Sequence, residues 1–188
     1  MLEGKKIIVT GSASGMGQAT LKAYVKAGAN VVGMDISNDK GKDISTNANS
    51  HGPGTCSFIH IDVSDEDSVK NAFYLALDEL KTLDVLAHPA AIQGPADASS
   101  VKVEDWDNMF AVNVRGTMLT NQNAFKYMKE NGSGSIINFG SISGLRPEPS
   151  ASAYSAAKGA VHSWTRTAAG TWGKHNTRVN AILPAIAT

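Results

Sequence analysis

The chain has 188 residues, a formal net charge of zero and a single cysteine, Cys56. One domain of that length can enclose a sizeable core, and the lack of a basic block argues against nucleic acid or an anionic membrane as a partner. The single cysteine excludes an internal disulfide and fits a reducing compartment, and we interpret it as a buried strand residue. Because no signal peptide or membrane span is recognisable, we expect a cytoplasmic protein.

Short apolar runs alternate along the chain with longer amphipathic stretches. The first run, residues 5–10, is β-branched and bounded by glycine, and it predicts a strand buried on both faces. Further strands are predicted over residues 30–35, 57–61, 83–87, 135–139 and 178–183. Helices are predicted over residues 18–26 and 38–49, from residue 64 onward, and over residues 103–131 and 153–174.

The helix that begins near residue 64 has the clearest sequence signals. Ser64 is a good N-cap, and the acidic residues that follow it are favoured by the helix dipole. An apolar stripe at helical spacing follows, formed by Val69, Phe73, Leu77 and Leu80. The stripe predicts the face of this helix that packs against the rest of the domain.

Strands that alternate with helices require parallel pairing with right-handed crossovers. The predicted fold class is therefore α/β, with a doubly wound, Rossmann-like parallel sheet. No repeat, low-complexity tract or linker interrupts the pattern. We therefore expect a single domain over residues 1–188.

The turn after the first strand carries the strongest cofactor signal. Gly11, Gly15 and Gly17 lie between a buried strand and a helix. Glycines in this place allow a tight turn and a close approach of a cofactor to the main chain. The helix N-terminus then offers free amides and a positive dipole end to a pyrophosphate. The turn predicts dinucleotide binding.

Acidic residues follow the second and third predicted strands. Asp35 stands eighteen residues after Gly17, where a carboxylate accepts hydrogen bonds from ribose hydroxyls and repels a 2′-phosphate. Ser14 and Ile36, near the same turn, are not basic, so the pattern favours NAD over NADP. Asp62 is placed to meet the adenine edge, although by itself it is an ordinary turn residue.

Three polar residues in the last third of the chain have a spacing suited to acid–base chemistry. Ser141 precedes Tyr154 by thirteen residues, and Lys158 follows the tyrosine by four. On a helix, Tyr154 and Lys158 lie one turn apart on the same face. An ammonium beside a phenol favours the phenolate, which is a base usable near neutral pH.

Together these motifs resemble the short-chain dehydrogenase/reductase family, in the branch with a Thr-Gly-x3-Gly-x-Gly turn and a Tyr-x3-Lys site. The resemblance runs along the whole of residues 1–188. It implies that Ser141 hydrogen-bonds the substrate oxygen, that Tyr154 transfers the proton and that Lys158 holds the nicotinamide ribose. It also implies that Asn113 anchors a water in the proton relay, although an asparagine there could also form a helix–helix hydrogen bond.

The cofactor contacts that the resemblance implies lie in the glycine turn and at the ends of the strands. They are Gly11, Ser14, Gly15, Met16, Gly17, Asp35, Asp62, Val63, Ala90, Tyr154, Lys158, Pro184, Ile186 and Thr188. No metal site is expected, because the histidines lack metal-ligand spacing. Trp164 and Trp172, eight residues apart on the last predicted helix, indicate a packing or subunit-contact face.

The sequence departs from the family pattern in two places. Where the family has Asn-Asn-Ala-Gly, this chain has His88-Pro89-Ala90-Ala91, and only Ala90 is carried over as a backbone contact. The family's Pro-Gly-x-Ile-x-Thr segment is one residue shorter here and lacks its glycine. Ile186 would meet the nicotinamide carboxamide, and Thr188 the cofactor phosphate or amide.

The resemblance also implies more chain than residues 1–188 contain. Members of the family continue through a flexible substrate lid, another helix and a seventh strand. We therefore expect the sequence to be incomplete at its C-terminus, without the final helix and strand.

The motifs predict an NAD-dependent oxidoreductase that interconverts a secondary alcohol and a ketone with Tyr154 as general acid and base. A sensor or scaffold that binds a dinucleotide without catalysis is an alternative, since fold does not fix function. A related epimerase or enoyl reductase is another. By resemblance, the partners are a small-molecule alcohol or ketone and further copies of the chain in a homotetramer.

Overall fold

The computed structural model describes residues 1–185 and contains a six-stranded sheet flanked by helices. The strands are β1 (Lys6–Thr10), β2 (Asn30–Asp35), β3 (Thr55–His60), β4 (Val85–His88), β5 (Gly134–Phe139) and β6 (Thr177–Ile182). The helices are α1 (Gly15–Lys26), α2 (Asn38–Asn49), α3 (Glu66–Leu80), α4 (Val103–Phe110), α5 (Gly116–Glu130) and α6 (Ser152–Trp172). Short 3-10 turns follow β5 at Ile142–Gly144 and α6 at Gly173–His175.

All neighbouring strands pair in parallel, in the order β3-β2-β1-β4-β5-β6. The chain builds outward from β1 in one direction and then from β4 in the other. The order therefore reverses between β1 and β4, and ligands of such sheets bind beyond the carboxyl ends of the strands at this point. The predicted doubly wound α/β fold is confirmed.

Successive residues of the central strands are buried on opposite faces of the sheet. Ile8 and Leu86 join the core that α3, α5 and α6 cover, whereas Ile7 and Ala87 join the core beneath α1 and α2. This two-sided burial explains why the strands are continuous apolar runs rather than alternating ones. Cys56 is buried in β3 as expected, and burial raises the pKa of its thiol.

The predicted N-cap of α3 was wrong by one residue. Asp65 is the N-cap, and its carboxylate accepts a hydrogen bond from the Ser68 amide at 2.6 Å. Ser64 instead donates its hydroxyl to the Asp62 carboxylate at 2.7 Å. Both residues are good caps in sequence terms, so the competing bond to Asp62 decided which of them caps the helix.

The long helix predicted over residues 103–131 is interrupted. It consists of α4, a π-helical segment at Ala111–Arg115, and α5. A π-helical turn inserts one extra residue into the helical repeat, and such turns are frequent at functional sites. Asn113 lies in this segment, so the interruption affects a predicted site residue.

Helix α6 is the longest helix at 21 residues and ends in an aromatic cluster. Trp172 stacks on Phe125 of α5 with ring centroids 4.3 Å apart, and Trp164 meets Trp172 edge-on at 6.1 Å. The two tryptophans thus pack within the chain. Within residues 1–185, no helix combines the length and the apolar character needed to cross a membrane.

The N-cap of α3 can be tested with two substitutions. Asp65→Ala removes the acceptor for the Ser68 amide and is expected to lower the free energy of unfolding by about 1 kcal/mol. Asp65→Asn keeps an acceptor and is expected to cost no more than about 0.5 kcal/mol. Urea unfolding measures both values, and equal losses in the two variants would contradict the capping role.

Candidate active site

A cavity of about 450 Å³ opens at the carboxyl edge of the sheet, between the turn after β1 and the segment after β4. Its walls come from the segments after β1, β2, β3 and β4, the start of α1, the π-helical segment and α6. The lining residues are Gly11, Ser14, Gly15, Met16, Gly17, Asp35, Ile36, Ile61, Asp62, Val63, Pro89, Ala90, Ala91, Ile92, Gln93, Val112 and Tyr154. The structure therefore brings together ten of the fourteen predicted cofactor contacts.

The turn after β1 packs tightly on one side and leaves space on the other. A side chain at Gly17 would collide with the Gly11 carbonyl oxygen, so only glycine fits where α1 approaches the turn. Gly15 has a φ of +49°, and a side chain there would point into open space. The turn thus forms a cradle along the cavity, with open space at Gly15.

The N-terminus of α1 faces this cavity with its amides unused by a cap. Ser14 is the N-cap in extended conformation, but its side chain caps none of the first amides. The first turn of α1 contains no acidic residue. Free amides and the positive end of the helix dipole together favour an anion, such as a phosphate or pyrophosphate, in the adjoining cradle.

Asp35 joins the glycine turn to the end of β2. One carboxylate oxygen accepts the Ala13 amide and the other accepts the Ser37 amide, each at 2.9 Å. Each oxygen keeps a further lone pair for a ligand hydroxyl. The carboxylate is therefore fixed at the cavity wall and can still accept hydrogen bonds.

Asp62 and Val63 line the cavity at the end of β3, as predicted. The Asp62 carboxylate accepts both the amide and the hydroxyl of Ser64, at 2.9 and 2.7 Å. Val63 packs close to Gly116 at the start of α5. Asp62 therefore shapes a turn in addition to lining the cavity.

Tyr154 and Lys158 stand on successive turns of α6. Tyr154 lines the cavity, and the Lys158 ammonium lies 5.6 Å from the centroid of its ring. Lys158 is only 4% exposed, and its Nζ donates to the Phe139 carbonyl at the end of β5 at 2.7 Å. Burial lowers the pKa of Lys158 to about 8. The helical spacing thus brings the Lys158 ammonium close to the Tyr154 ring.

Ser141 lies two residues beyond β5 and is buried beneath α6. Its hydroxyl accepts the Ser143 amide at 3.2 Å and donates to the Ser143 hydroxyl at the same distance. Its amide donates to Nε2 of His162 at 3.2 Å. Ser141 and Lys158 are not part of the cavity lining, to which α6 contributes Tyr154.

Asn113 fastens the segment after β4 to the π-helical turn. Its side-chain oxygen accepts the Ile92 amide and its amide group donates to the Ile92 carbonyl, both at 2.8 Å. The partner is therefore a loop that lines the cavity rather than a neighbouring helix. The amide group also donates to the Met109 sulfur at 3.1 Å, and the Asn113 carbonyl accepts the Thr117 hydroxyl at 2.7 Å. Both amide protons are therefore used, whereas the side-chain oxygen keeps one lone pair.

Of the predicted residues near the C-terminus, only Pro184 can be located. Its carbonyl accepts the Ile142 amide at 3.3 Å, beside the Ser141 segment and outside the cavity lining. Ile186 and Thr188 lie outside the described residues. Among residues 1–185, no three His, Cys, Asp or Glu side chains are grouped as metal ligands would be.

Sequence reasoning missed two groups of residues. Ile92, Gln93 and Val112 line the cavity, and the signal available for the first two was their position directly after a strand of a parallel sheet. His88 was also missed. It is buried at the end of β4, with Nδ1 at 2.8 Å from the Thr10 hydroxyl and 3.2 Å from the Thr120 hydroxyl.

His88 is held in its neutral form. Burial, and next the positive charge of Lys158, lower its pKa from 6.5 to about 3. The histidine therefore acts as an uncharged polar side chain between the ends of β1 and β4. It lies beside the cavity rather than in its lining.

Comparison with known proteins identifies the group to which this arrangement is similar. A family model for short chain dehydrogenases matches residues 5–188. The chain is 34% identical over 183 residues to 3-oxoacyl-acyl-carrier-protein reductase FabG of Thermotoga maritima, covering 97% of this chain and 74% of that protein. It is 36% identical over 182 residues to glucose 1-dehydrogenase of Gluconobacter oxydans, covering 96% of this chain and 68% of that protein.

Solved structures show the same architecture. A short chain dehydrogenase from Mycobacterium smegmatis superposes with a TM-score of 0.95 at 29% identity, covering 99% of this chain and 77% of that one. The chain thus spans about two thirds to three quarters of the length of these relatives.

The neutral His88 makes the stability of the fold depend on pH. Below about pH 6.5 the unfolded chain binds a proton at this position that the folded chain excludes, so stability falls with pH. We expect His88 to account for a loss of about 2 kcal/mol between about pH 7.5 and about pH 5. Urea unfolding at both pH values should show that His88→Asn lacks this part of the loss, and an unchanged pH dependence would contradict the assignment.

Proposed function

Because this chain belongs to the short-chain dehydrogenase family, we propose that it is an NAD-dependent oxidoreductase that interconverts a secondary alcohol and a ketone. The observation that carries the proposal is the position of Tyr154. Its phenol lines the cavity while the buried Lys158 ammonium stands one helical turn behind it. The proposal assigns proton transfer to this phenol, which lines the same cavity as the glycine turn.

The cavity fits a nicotinamide dinucleotide. The glycine cradle and the free amides of α1 would hold its pyrophosphate, and Asp35 would accept hydrogen bonds from its adenosine ribose. Bound there, the cofactor supplies the hydride acceptor or donor that amino-acid side chains lack. The carboxylate of Asp35 would repel a 2′-phosphate, which supports NAD over NADP.

The side chains of α6 would handle the proton. Tyr154 would remove the hydroxyl proton during oxidation and return it during reduction. Lys158 would stabilise the phenolate as long as the lysine is charged, and this support would fade as the pH rises through its lowered pKa of about 8. Ser141 would hydrogen-bond the substrate oxygen after its hydroxyl turns away from Ser143.

The same geometry bears on the alternatives. A dinucleotide sensor would have no use for a phenol beside a buried ammonium, and burying Lys158 without catalytic benefit would be costly. The names of the relatives include a dehydrogenase and a reductase, which supports either direction of reaction. An epimerase or enoyl reductase fits the glycine and tyrosine–lysine spacings less well.

We also propose a cytoplasmic homotetramer that acts on a small-molecule alcohol or ketone. An apolar hollow between α4, α5 and α6 supports subunit contact through these helices. It is lined by Phe110, Val114, Arg115, Thr117, Met118, Val161 and Trp164. The buried, unpaired Cys56 supports a reducing compartment.

The cofactor assignment can be tested by filling the cradle. We expect Gly15→Ala to weaken NAD binding about tenfold or more, because the added methyl group points into the space assigned to the pyrophosphate. Isothermal titration calorimetry measures the affinity. Gly132→Ala is a matched control, since Gly132 also has positive φ and open space around its α-carbon but lies far along the chain from the cradle. Equal affinity in the Gly15→Ala variant and the wild type would contradict the assignment.

The proposed proton-transfer group can be tested by removing one oxygen. We expect Tyr154→Phe to lower turnover by about 100-fold or more, since positioned acid–base groups contribute about that factor. NAD affinity should change little, because the ring that lines the cavity is kept. Turnover measured by reduced-nicotinamide absorbance and affinity measured by calorimetry separate the two effects. Retained turnover would show that another group moves the proton.

A further inference from the structure

His162 stands one turn beyond Lys158 on the same face of α6. Tyr154, Lys158 and His162 are therefore spaced at four-residue intervals, and each faces the carboxyl edge of the sheet or the segment that follows β5. His162 is 5% exposed. It contributes nothing to the cavity lining, and the proposed reaction does not use it.

The imidazole contacts the backbone of Ser141 directly. The Ser141 amide lies 3.2 Å from Nε2 of His162. Because a backbone amide can only donate, Nε2 must be the unprotonated acceptor and Nδ1 must carry the ring proton. The bond thus fixes one neutral tautomer of the histidine.

Two glycines make room for the ring. A side chain at Gly140 would collide with Nε2, and a side chain at Gly144 would come within 2.8 Å of Cε1. The segment from Gly140 to Gly144 therefore folds closely around the imidazole. Larger residues at either position would separate α6 from the loop that carries Ser141.

We infer that His162 is a positioning residue that holds Ser141 in place for the proposed reaction. The Ser141 hydroxyl has only Ser143 as a partner among the described residues, and Ser143 belongs to the same short turn. The bond to His162 ties that turn to α6, which carries Tyr154 and Lys158. Together with the bond from Lys158 to the strand-end carbonyl of β5, it fixes the strand end to the helix at two points. The inference rests on the proposed function only for its effect on turnover.

Burial and the nearby positive charges favour the neutral form of the His162 ring. Burial, and next the positive charges of Arg166 and Lys158, lower its pKa below 6.5. The facing segment, residues 139–144, contains no ionisable side chain. Protonation of Nε2 at low pH would remove the acceptor for the Ser141 amide, so the bond is present above the lowered pKa and is lost below it.

Hydrogen exchange of the Ser141 amide tests the bond without any catalytic assay. Three variants differ in what they offer at the two ring positions. A glutamine side chain places its amide group near the position of Nε2, an asparagine side chain places it near that of Nδ1, and a leucine side chain has no polar atom. We therefore expect His162→Gln to keep the protection of the Ser141 amide within about twofold, and His162→Asn and His162→Leu to lower it about tenfold.

The amide of Ile8, buried in the central strand β1, reports changes in global stability. In His162→Asn and His162→Leu, a loss of exchange protection at Ser141 that exceeds the loss at Ile8 supports the inference. Equal losses of protection at the two amides overturn it. Nitrogen chemical shifts of His162 in the wild type give a second test that needs no variant. A proton on Nε2 rather than on Nδ1 overturns the inference.

Turnover then tests whether the bond matters to the reaction. We expect kcat to fall about tenfold in His162→Asn and His162→Leu, with KM for NAD unchanged and with activity largely restored in His162→Gln. An equal fall in kcat in all three variants overturns the positioning role. So does a rise in KM for NAD with kcat unchanged. If the wild type shows no turnover, the proposed function fails. The exchange and nitrogen-shift measurements still test whether the Ser141 amide donates to His162.

Discussion

The packing of α6 against the end of β5 determines where the candidate reactive groups lie. The Lys158 ammonium donates to the Phe139 carbonyl, and the Ser141 amide donates to His162. These two bonds join the end of β5 to α6, the next long helix in the chain, across the loop that connects them. A further bond, from the Asn138 side-chain amide of β5 to the Thr165 hydroxyl of α6, adds to this contact.

Parallel pairing of the sheet supplies the opposite wall. All six strands end at the same edge, so the turns after β1, β2, β3 and β4 converge there although they are far apart in sequence. The reversal of strand order between β1 and β4 separates their turns and opens the cavity between them. The bond network of Asp35 and the clamp of Asn113 on Ile92 then hold two of these segments in place.

The sequence predicted the features that depend on local spacing. The glycine turn, the pairing of Tyr154 with Lys158 and the burial of the strands all follow from residues within about four positions of one another. The fold class followed as well, because alternating strands and helices leave few topologies. Asp35 and Asp62 line the cavity for the same reason, since Asp35 ends β2 and Asp62 follows the end of β3 by two residues.

Features that depend on non-local contacts were not predicted. Choosing between Ser64 and Asp65 as the cap of α3 required knowledge of the bond to Asp62. His88 and His162 looked like ordinary histidines, because Thr10 and Ser141 reach them only through the fold. The π-helical turn at Ala111–Arg115 is equally absent from the spacing of apolar residues, yet it directs Asn113 toward the loop after β4.

If the cavity places a dinucleotide beside an acid–base tyrosine, as proposed, the protein must support turnover. The most direct measurement is the appearance of reduced-nicotinamide absorbance when the wild-type protein is given NAD and a panel of secondary alcohols. We expect absorbance that grows with time for at least one alcohol and depends on protein concentration. Tight NAD binding without turnover of any alcohol, or of any ketone in the reverse direction, would contradict the proposed reaction and favour a sensor.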